Sequence, residues 1–495
     1  MNKNKKVFLG VILGVIVLIG IVIAAITVNS RIQEENAAIK AKKERIAKEE
    51  AAAAAQKQLV EDFNNIYSSL GNFGSITSEV AKNTNIDFNY AVFINETDFV
   101  VIGSSSKLSG DLFGDDYTFT DKAFIKRFTK GSSEAVWTKE YTNYYFSDIA
   151  VTETGKILAV GSSGLKGHAF LIQYDGDGKQ LWKKDWKGDA GSLTVDAKNN
   201  YLVVGGNNIL KFDSDGKQLW KKGWKDGAVT LTIDDENNYL VVGGNTISKL
   251  DSDGNQLWKK SVGKGYSLGF CIQDTDQNYV IVGAESTDQY YERFEDTGSK
   301  SIITKYSKDG EQLWKKEYKK TDDYNFSSVK ALSGGGVVVA GSINNSVQNK
   351  DYSTSGSFDG IIIKYDSAGN IISKVEYGNS KLYEYFSDIK VVSLNGKDDI
   401  IIAVGGSCDW ETAMSETAIE YAYTKALMVV FENDNVLYEH MFTGKDASHF
   451  TTISMYNNDW KNCVLIGSAL DMSNIQDDES AEMFITSIQG FLLAR

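Results

Sequence analysis

The feature that most constrains this chain is a short segment that keeps returning. Residues 209–222 read ILKFDSDGKQLWKK, 247–260 read ISKLDSDGNQLWKK and 303–316 read ITKYSKDGEQLWKK, with looser copies at 171–184 and 362–375. Each copy alternates apolar and polar residues, turns at an Asp-Ser-Asp-Gly type tetrapeptide whose glycine can take positive φ, and opens a second strand at Leu-Trp. A lone hairpin cannot bury its faces, so the copies must stack on one another in a repeat architecture.

A second signal frames the first. Apolar strands ending in glycine recur at Gly103, Gly161, Gly205, Gly243, Gly283, Gly341, Gly405 and Gly467. Most follow a short strand and a polar turn, as in LTVDAKNNYLVVGG, so each unit reads as four strands. Trp137, Trp182, Trp220, Trp258 and Trp314 share one position in the hairpin after the glycine strand, with Ile372 and Tyr438 as degenerate versions. Units of this kind, spaced 38 to 64 residues apart, fit a β-propeller blade better than a solenoid turn. The expected fold is therefore all-β: a propeller over residues 86–495 with eight four-stranded blades, or seven if the first and last half-units merge. The lysine pairs after each tryptophan, such as Lys221 and Lys222, belong on the outermost strand, where lysine discourages edge pairing.

The segment before the repeats differs in kind. Residues 1–6 carry Lys3, Lys5 and Lys6 and form an expected cytoplasmic tail; 7–28 follow without a charge, long enough to cross a bilayer as a helix. A cleaved secretory signal is the competing reading of this run. Residues 29–74 are rich in Ala, Glu, Lys and Gln and read as a helical stalk. Gly10 and Gly14 form a GxxxG, so oligomerisation could run through the span or the stalk. The N-terminal lysines favour a cytoplasmic N-terminus and an extracellular C-terminal domain, a single-pass protein of the cell membrane, although basic residues on the far flank blur the count.

Composition excludes several partners and chemistries. A net charge of −14 argues against nucleic acid, whose affinity comes from Lys and Arg at phosphates. Cys271, Cys408 and Cys463 form neither a disulfide framework nor a thiolate zinc site, and Cys271 and Cys463 sit in apolar strands that suit core positions. His168, His440 and His449 share no metal-ligand spacing and give no nucleophile–base set. The pairs Asp213/Asp215 and Asp251/Asp253 invite calcium, but the third donor and twelfth-position Glu of an EF-hand loop are missing, and turn formation explains them. No catalytic residue, metal ligand or cofactor is expected, with calcium at the Asp pairs as the alternative.

The units DSDGKQLWKK and DSDGNQLWKK, joined to NNYLVVGG, resemble bacterial propeller repeats of the pyrroloquinoline-quinone-enzyme (PQQ) type, and residues 358–405 resemble a related repeat of secreted bacterial propellers. The resemblance spans about 86–495 and implies that the five tryptophans pack between neighbouring blades. The quinone dehydrogenases of that type carry adjacent cysteines beside their cofactor, which this chain lacks. The resemblance therefore speaks to fold more than to activity.

Function is expected where the repeat is interrupted. Long insertions follow Gly103, Gly283, Gly341, Gly405 and Gly467, and they are acidic and aromatic: Asp115, Asp116 and Tyr117; Tyr290, Tyr291 and Glu292; Tyr352; Trp410 and Glu411. Elaborated loops on a rigid scaffold usually carry binding. The expected role is a membrane-anchored binding or scaffolding module with a protein or envelope-polymer partner. An enzyme acting on envelope polysaccharide, a quinone-type dehydrogenase and an envelope-assembly factor are the alternatives.

Overall fold

The computed structural model describes residues 84–494 except at 110–117, 286–300, 345–346, 349–353, 410–424, 471–487 and shorter gaps; before residue 84 only scattered helical positions between 14 and 61 are described. The chain divides into two compact units, Met1–Ser68 and Ser69–Arg495. The span expected at 7–28 and the stalk at 29–74 fall mostly outside the described residues, among which no helix is long and apolar enough to cross a membrane.

The second unit is all-β. Among the described residues its strands group, in chain order, into eight antiparallel sets, most of them four strands paired in the order in which they occur, beside one short separate pair, Val347–Gln348 with Thr354–Ser355. The second set is representative: Tyr144–Val151, Ile157–Ser163, His168–Tyr174 and Gln180–Lys187. In the third set Tyr201–Phe212 is one long element; its first half pairs with Ser192–Val195 and its second with Gln218–Ala228, and Gly206 at φ 52° marks the turn between. The sixth and seventh sets are joined by a single parallel bridge, Phe358 to Tyr383. The eighth, Ala447–Met455, Cys463–Leu470 and Ile488–Ala494, has three strands among the described residues.

The first strands of the sets form a closed cycle. Thr84–Phe93, Tyr144–Val151, Ser192–Val195, Thr230–Ile233, Tyr266–Gln273, Tyr324–Ala331, Leu382–Leu394 and Ala447–Met455 each touch the next, and the last touches the first. These are the inner strands of a β-propeller. The last strands, Gln180–Lys187, Gln256–Ser261 and Gln312–Glu317 among them, pair on one side only and carry the lysine pairs at the outer edge.

The core lies between the sheets. Leu202, Val204 and Ile209 of the third set pack with Leu231, Tyr239, Val241 and Leu250 of the fourth, and equivalent clusters follow along the chain. Each such side chain contributes about 1.5–3 kcal/mol on full burial. Phe88, Phe93, Phe99 and Val101 of the first set meet Val464 and Ile466 of the eighth, closing the cycle. Cys463 is buried and Cys271 packs against a cluster, as their apolar contexts suggest.

The recurring glycine has a steric cause. Six of the inner strands carry a bulge at one level, between Phe146 and Asp148 for example. The bulge pushes the Tyr145 carbonyl onto the partner strand, where a Cβ on Gly161 would lie 1.9 Å from that oxygen; Gly341 and Gly405 meet the same obstruction. Replacing Gly161 by Ala is expected to lower the urea midpoint by an amount equivalent to about 1–3 kcal/mol, whereas alanine at Gly167, which has open space but positive φ, should cost less.

Candidate functional site at the inner strands

Two ends of the sheets are built differently. The turns after the first and third strands emerge at one end, the connections after the second and fourth at the other. All five insertions follow second strands and so share the second end. Tyr117, Tyr290, Tyr291, Tyr352, Trp410, Asp115, Asp116, Glu292 and Glu411 lie outside the described residues.

At the turn end the repeat residues staple neighbouring sheets. Trp137, Trp182, Trp220, Trp258 and Trp314 each lie over the glycine of the next sheet's outer turn, 2.6–3.1 Å from where a Cβ on Gly178, Gly216, Gly254, Gly310 or Gly369 would sit. They also pair with Tyr174, Tyr201, Tyr239, Tyr279 and Tyr365 at ring distances of 6.0–6.3 Å. The indole N–H of Trp137, Trp220, Trp258 and Trp314 donates to a turn carbonyl of the next sheet. The strand register puts Ser373, opposite Lys364, in the tryptophan position of the sixth set, and not Ile372 as expected, because the outer hairpin bulges between Lys364 and Tyr365 as it does between Lys305 and Tyr306. Tyr438 holds that position in the seventh.

The turn aspartates split into two kinds. Asp213 and Asp251 accept backbone N–H groups two and four residues on, at 2.7–3.1 Å, which is an Asx turn. Asp196, Asp234 and Asp274, in the inner turns, are buried against lysines: Lys211 at 3.1 Å, Lys249 at 2.9 Å and Lys305 at 2.6 Å. Tyr239 and Tyr279 of the following sheets donate to Asp196 and Asp234 at 2.9 and 2.7 Å. Burial would raise both carboxyls, but hydrogen bonds outweigh it and hold them below the usual range: from Asn200, then Lys211 and Tyr239, at Asp196, and from Tyr279, Lys249 and Asn238 at Asp234. These lysines also donate to carbonyls of the next sheet's outer turn. Sequence reasoning missed this device, since a lysine two residues before an Asp-rich turn reads as the polar half of an alternating strand.

Nearer the insertion end the inner strands converge polar side chains. The residues opposite the one before each glycine are Tyr90, Asp148, Ser192, Thr230, Phe270, Ser328, Asp388 and Thr452. Asp388 accepts from Ser328 at 2.8 Å and Thr452 at 2.9 Å, one on each neighbouring strand, and pairs with Lys330 at 3.3 Å. Burial would raise it, but Lys330 and Lys390 outweigh that and hold it below the usual carboxylate range. Asp148 accepts from Leu193 N–H at 2.8 Å and Ser192 at 3.3 Å with no cation beside it, and burial pushes it up to about 6. Tyr90, half-exposed, feels both carboxylates; burial first and their charges second raise its hydroxyl, which stays protonated and able to donate. Burial also lowers the Lys390 ammonium, against the pull of Asp388. No group of His, Cys, Asp and Glu among the described residues is arranged to hold a metal ion.

Residues 167–351 match the family described as outer membrane protein assembly factor BamB. A streptogramin B lyase structure is 13% identical over 71% of this chain and 93% of its own, with a TM-score of 0.38. BamB from Moraxella catarrhalis is 11% identical over 65% and 92%, TM-score 0.35. A protein of unknown function from Bacteroides caccae is 16% identical over 51% and 89%, TM-score 0.31. These structural likenesses carry no argument about activity. No curated protein matches the chain.

Two outcomes follow. Lys305→Met strands a buried Asp274 carboxylate and should cost about 3–5 kcal/mol, read as a drop in urea midpoint that Asp274→Asn in the same chain partly restores. A carboxyl raised as Asp148 is gives stability that is full below pH 4 and is lost as pH rises through 6. Asp148→Asn should therefore remove a decline of about 3 kcal/mol between pH 4 and 6, measured by denaturant melts across that window.

Proposed function

Because the chain is a PQQ-like β-propeller repeat protein, we propose that it is an eight-bladed binding or scaffolding module, anchored by residues 7–28 in the cell membrane and displayed outside the cytoplasm. The asymmetry of its two ends carries this reading. The turn end is occupied by inter-sheet staples, in which buried lysines pair with aspartates and four of the five tryptophans hydrogen-bond to the next sheet. The insertion end is where the repeat is broken five times, each time after a second strand, by acidic and aromatic residues. Tyrosine and tryptophan supply large contact area with few rotatable bonds, and carboxylates favour a basic partner. A protein or envelope polymer fits such a rim better than a small substrate does.

The family matched by residues 167–351 bears the name of an outer membrane assembly factor. That favours a second reading, in which the partner is another envelope-assembly protein.

The discriminating experiment shortens one insertion. Residues 286–300 are replaced by the Gly-Asn turn that joins Tyr239–Gly243 to Thr246–Leu250 in the fourth set, and the full chain is crosslinked in intact cells. The expected result is an unchanged melting curve with loss of the crosslinked partner. Unchanged crosslinking after all five insertions are shortened in turn would overturn the reading. Protease shaving that spares everything beyond residue 31 would overturn the outside placement.

A further inference from the structure

We propose that Lys390, with Lys330 beside it, forms an oxyanion-binding site at the inner strands of the sixth and seventh sheets. The two lysines stand opposite Val338 and Ile402, at one level of neighbouring strands. The six other positions at that level are Val92, Ala150, Thr194, Thr232, Ile272 and Ser454, none of them ionisable at neutral pH. This level of the cycle therefore holds two positive charges and no negative one.

One of the two is answered from the level above. Lys330 reaches Asp388 at 3.3 Å. That carboxylate is already fully engaged: one oxygen takes the Ser328 hydroxyl and the Ile389 N–H, the other the Thr452 hydroxyl and the Ile453 N–H. Its hydrogen bonds to both flanking strands hold it in place, so it is not free to swing to a second cation. Lys390, two residues along the same strand, makes no ion pair or hydrogen bond among the described residues. Its side chain is half-buried among the inner strands.

Asp388 attracts Lys390 as well, but one carboxylate against two ammoniums leaves one positive charge in excess, which a further anion would offset. Asp148 does not supply it, since its contacts beyond its own strand, from Ser192 and Leu193, lie on the third sheet and Lys390 is absent from its surroundings. A small oxyanion, phosphate or carboxylate, meets the requirement. It would take Lys390 as its main charge partner, with three N–H donors available, and Lys330 as a second. The inference does not depend on the role given to the insertions.

The test is calorimetric titration of the full chain with inorganic phosphate, and separately with acetate, at low ionic strength. Saturable binding of one anion per chain is expected, and the stronger of the two titrations assigns the oxyanion. Lys390→Met should weaken it at least tenfold and Lys390→Arg should keep it, while Lys221→Gln on an outer strand leaves it unchanged. Phosphate or acetate should also raise the melting temperature of the parent chain and not that of Lys390→Met, a readout that needs only the folded fraction. Absence of saturable binding to either anion, or binding by Lys390→Met equal to the parent, would overturn the proposal.

Discussion

Apolar contact between sheets is what everything else in this chain rests on. No four-stranded set has a core of its own: the side chains of each second strand are buried only because the next set covers them, as Tyr239 and Val241 cover Leu202 and Val204. Stability is then a chain of interfaces, each worth several buried apolar side chains at about 1.5–3 kcal/mol apiece. The polar devices sharpen this packing and do not replace it. The Lys–Asp–Tyr clusters cost desolvation that their geometry roughly offsets. What they add is registry, since Lys249 reaches Asp234 on its own sheet and a turn carbonyl on the next.

Much of the architecture was legible because its causes are local. The Asp-Ser-Asp-Gly turns are seen in the sequence because Asp251 bonds to backbone only two and four residues on. The glycine strands stand out because a bulge three-dimensionally adjacent to Gly161, Gly341 and Gly405 excludes any Cβ. Tryptophan was legible as a repeat marker and, through family resemblance, as a wedge. At the sixth set that reading slipped by one residue, from Ser373 to Ile372, since a sequence alignment by hydrophobicity favours isoleucine where backbone register puts serine.

The inner strands were not legible, and the reason is distance along the chain. Asp388 gathers Ser328 and Thr452, which lie 60 and 64 residues away. Lys330 and Lys390 come to one level only once the sheets pack side by side. The lysines lie in no motif, and in other repeats their slot holds serine, threonine or an apolar residue. Phe146-Ser147-Asp148 and Phe386-Ser387-Asp388 are the one local trace, a recurring tripeptide at the bulge. Its meaning depends on the serine hydroxyl: Ser147 donates to the Ala190 carbonyl of the next sheet.

The junction between the first and eighth sheets has a kinetic consequence. Every other interface joins neighbours in sequence, but here Phe88, Phe99 and Phe124 meet Val464 and Ile466 across nearly the whole length of the second unit. Bringing such distant segments together carries the largest loop-closure entropy in the fold, although that entropy grows only slowly with length. The closure is the contact expected to form last during folding and to open first under stress. A chain caught before that step would present a phenylalanine-lined face, the surface by which two unfinished copies would most readily find each other.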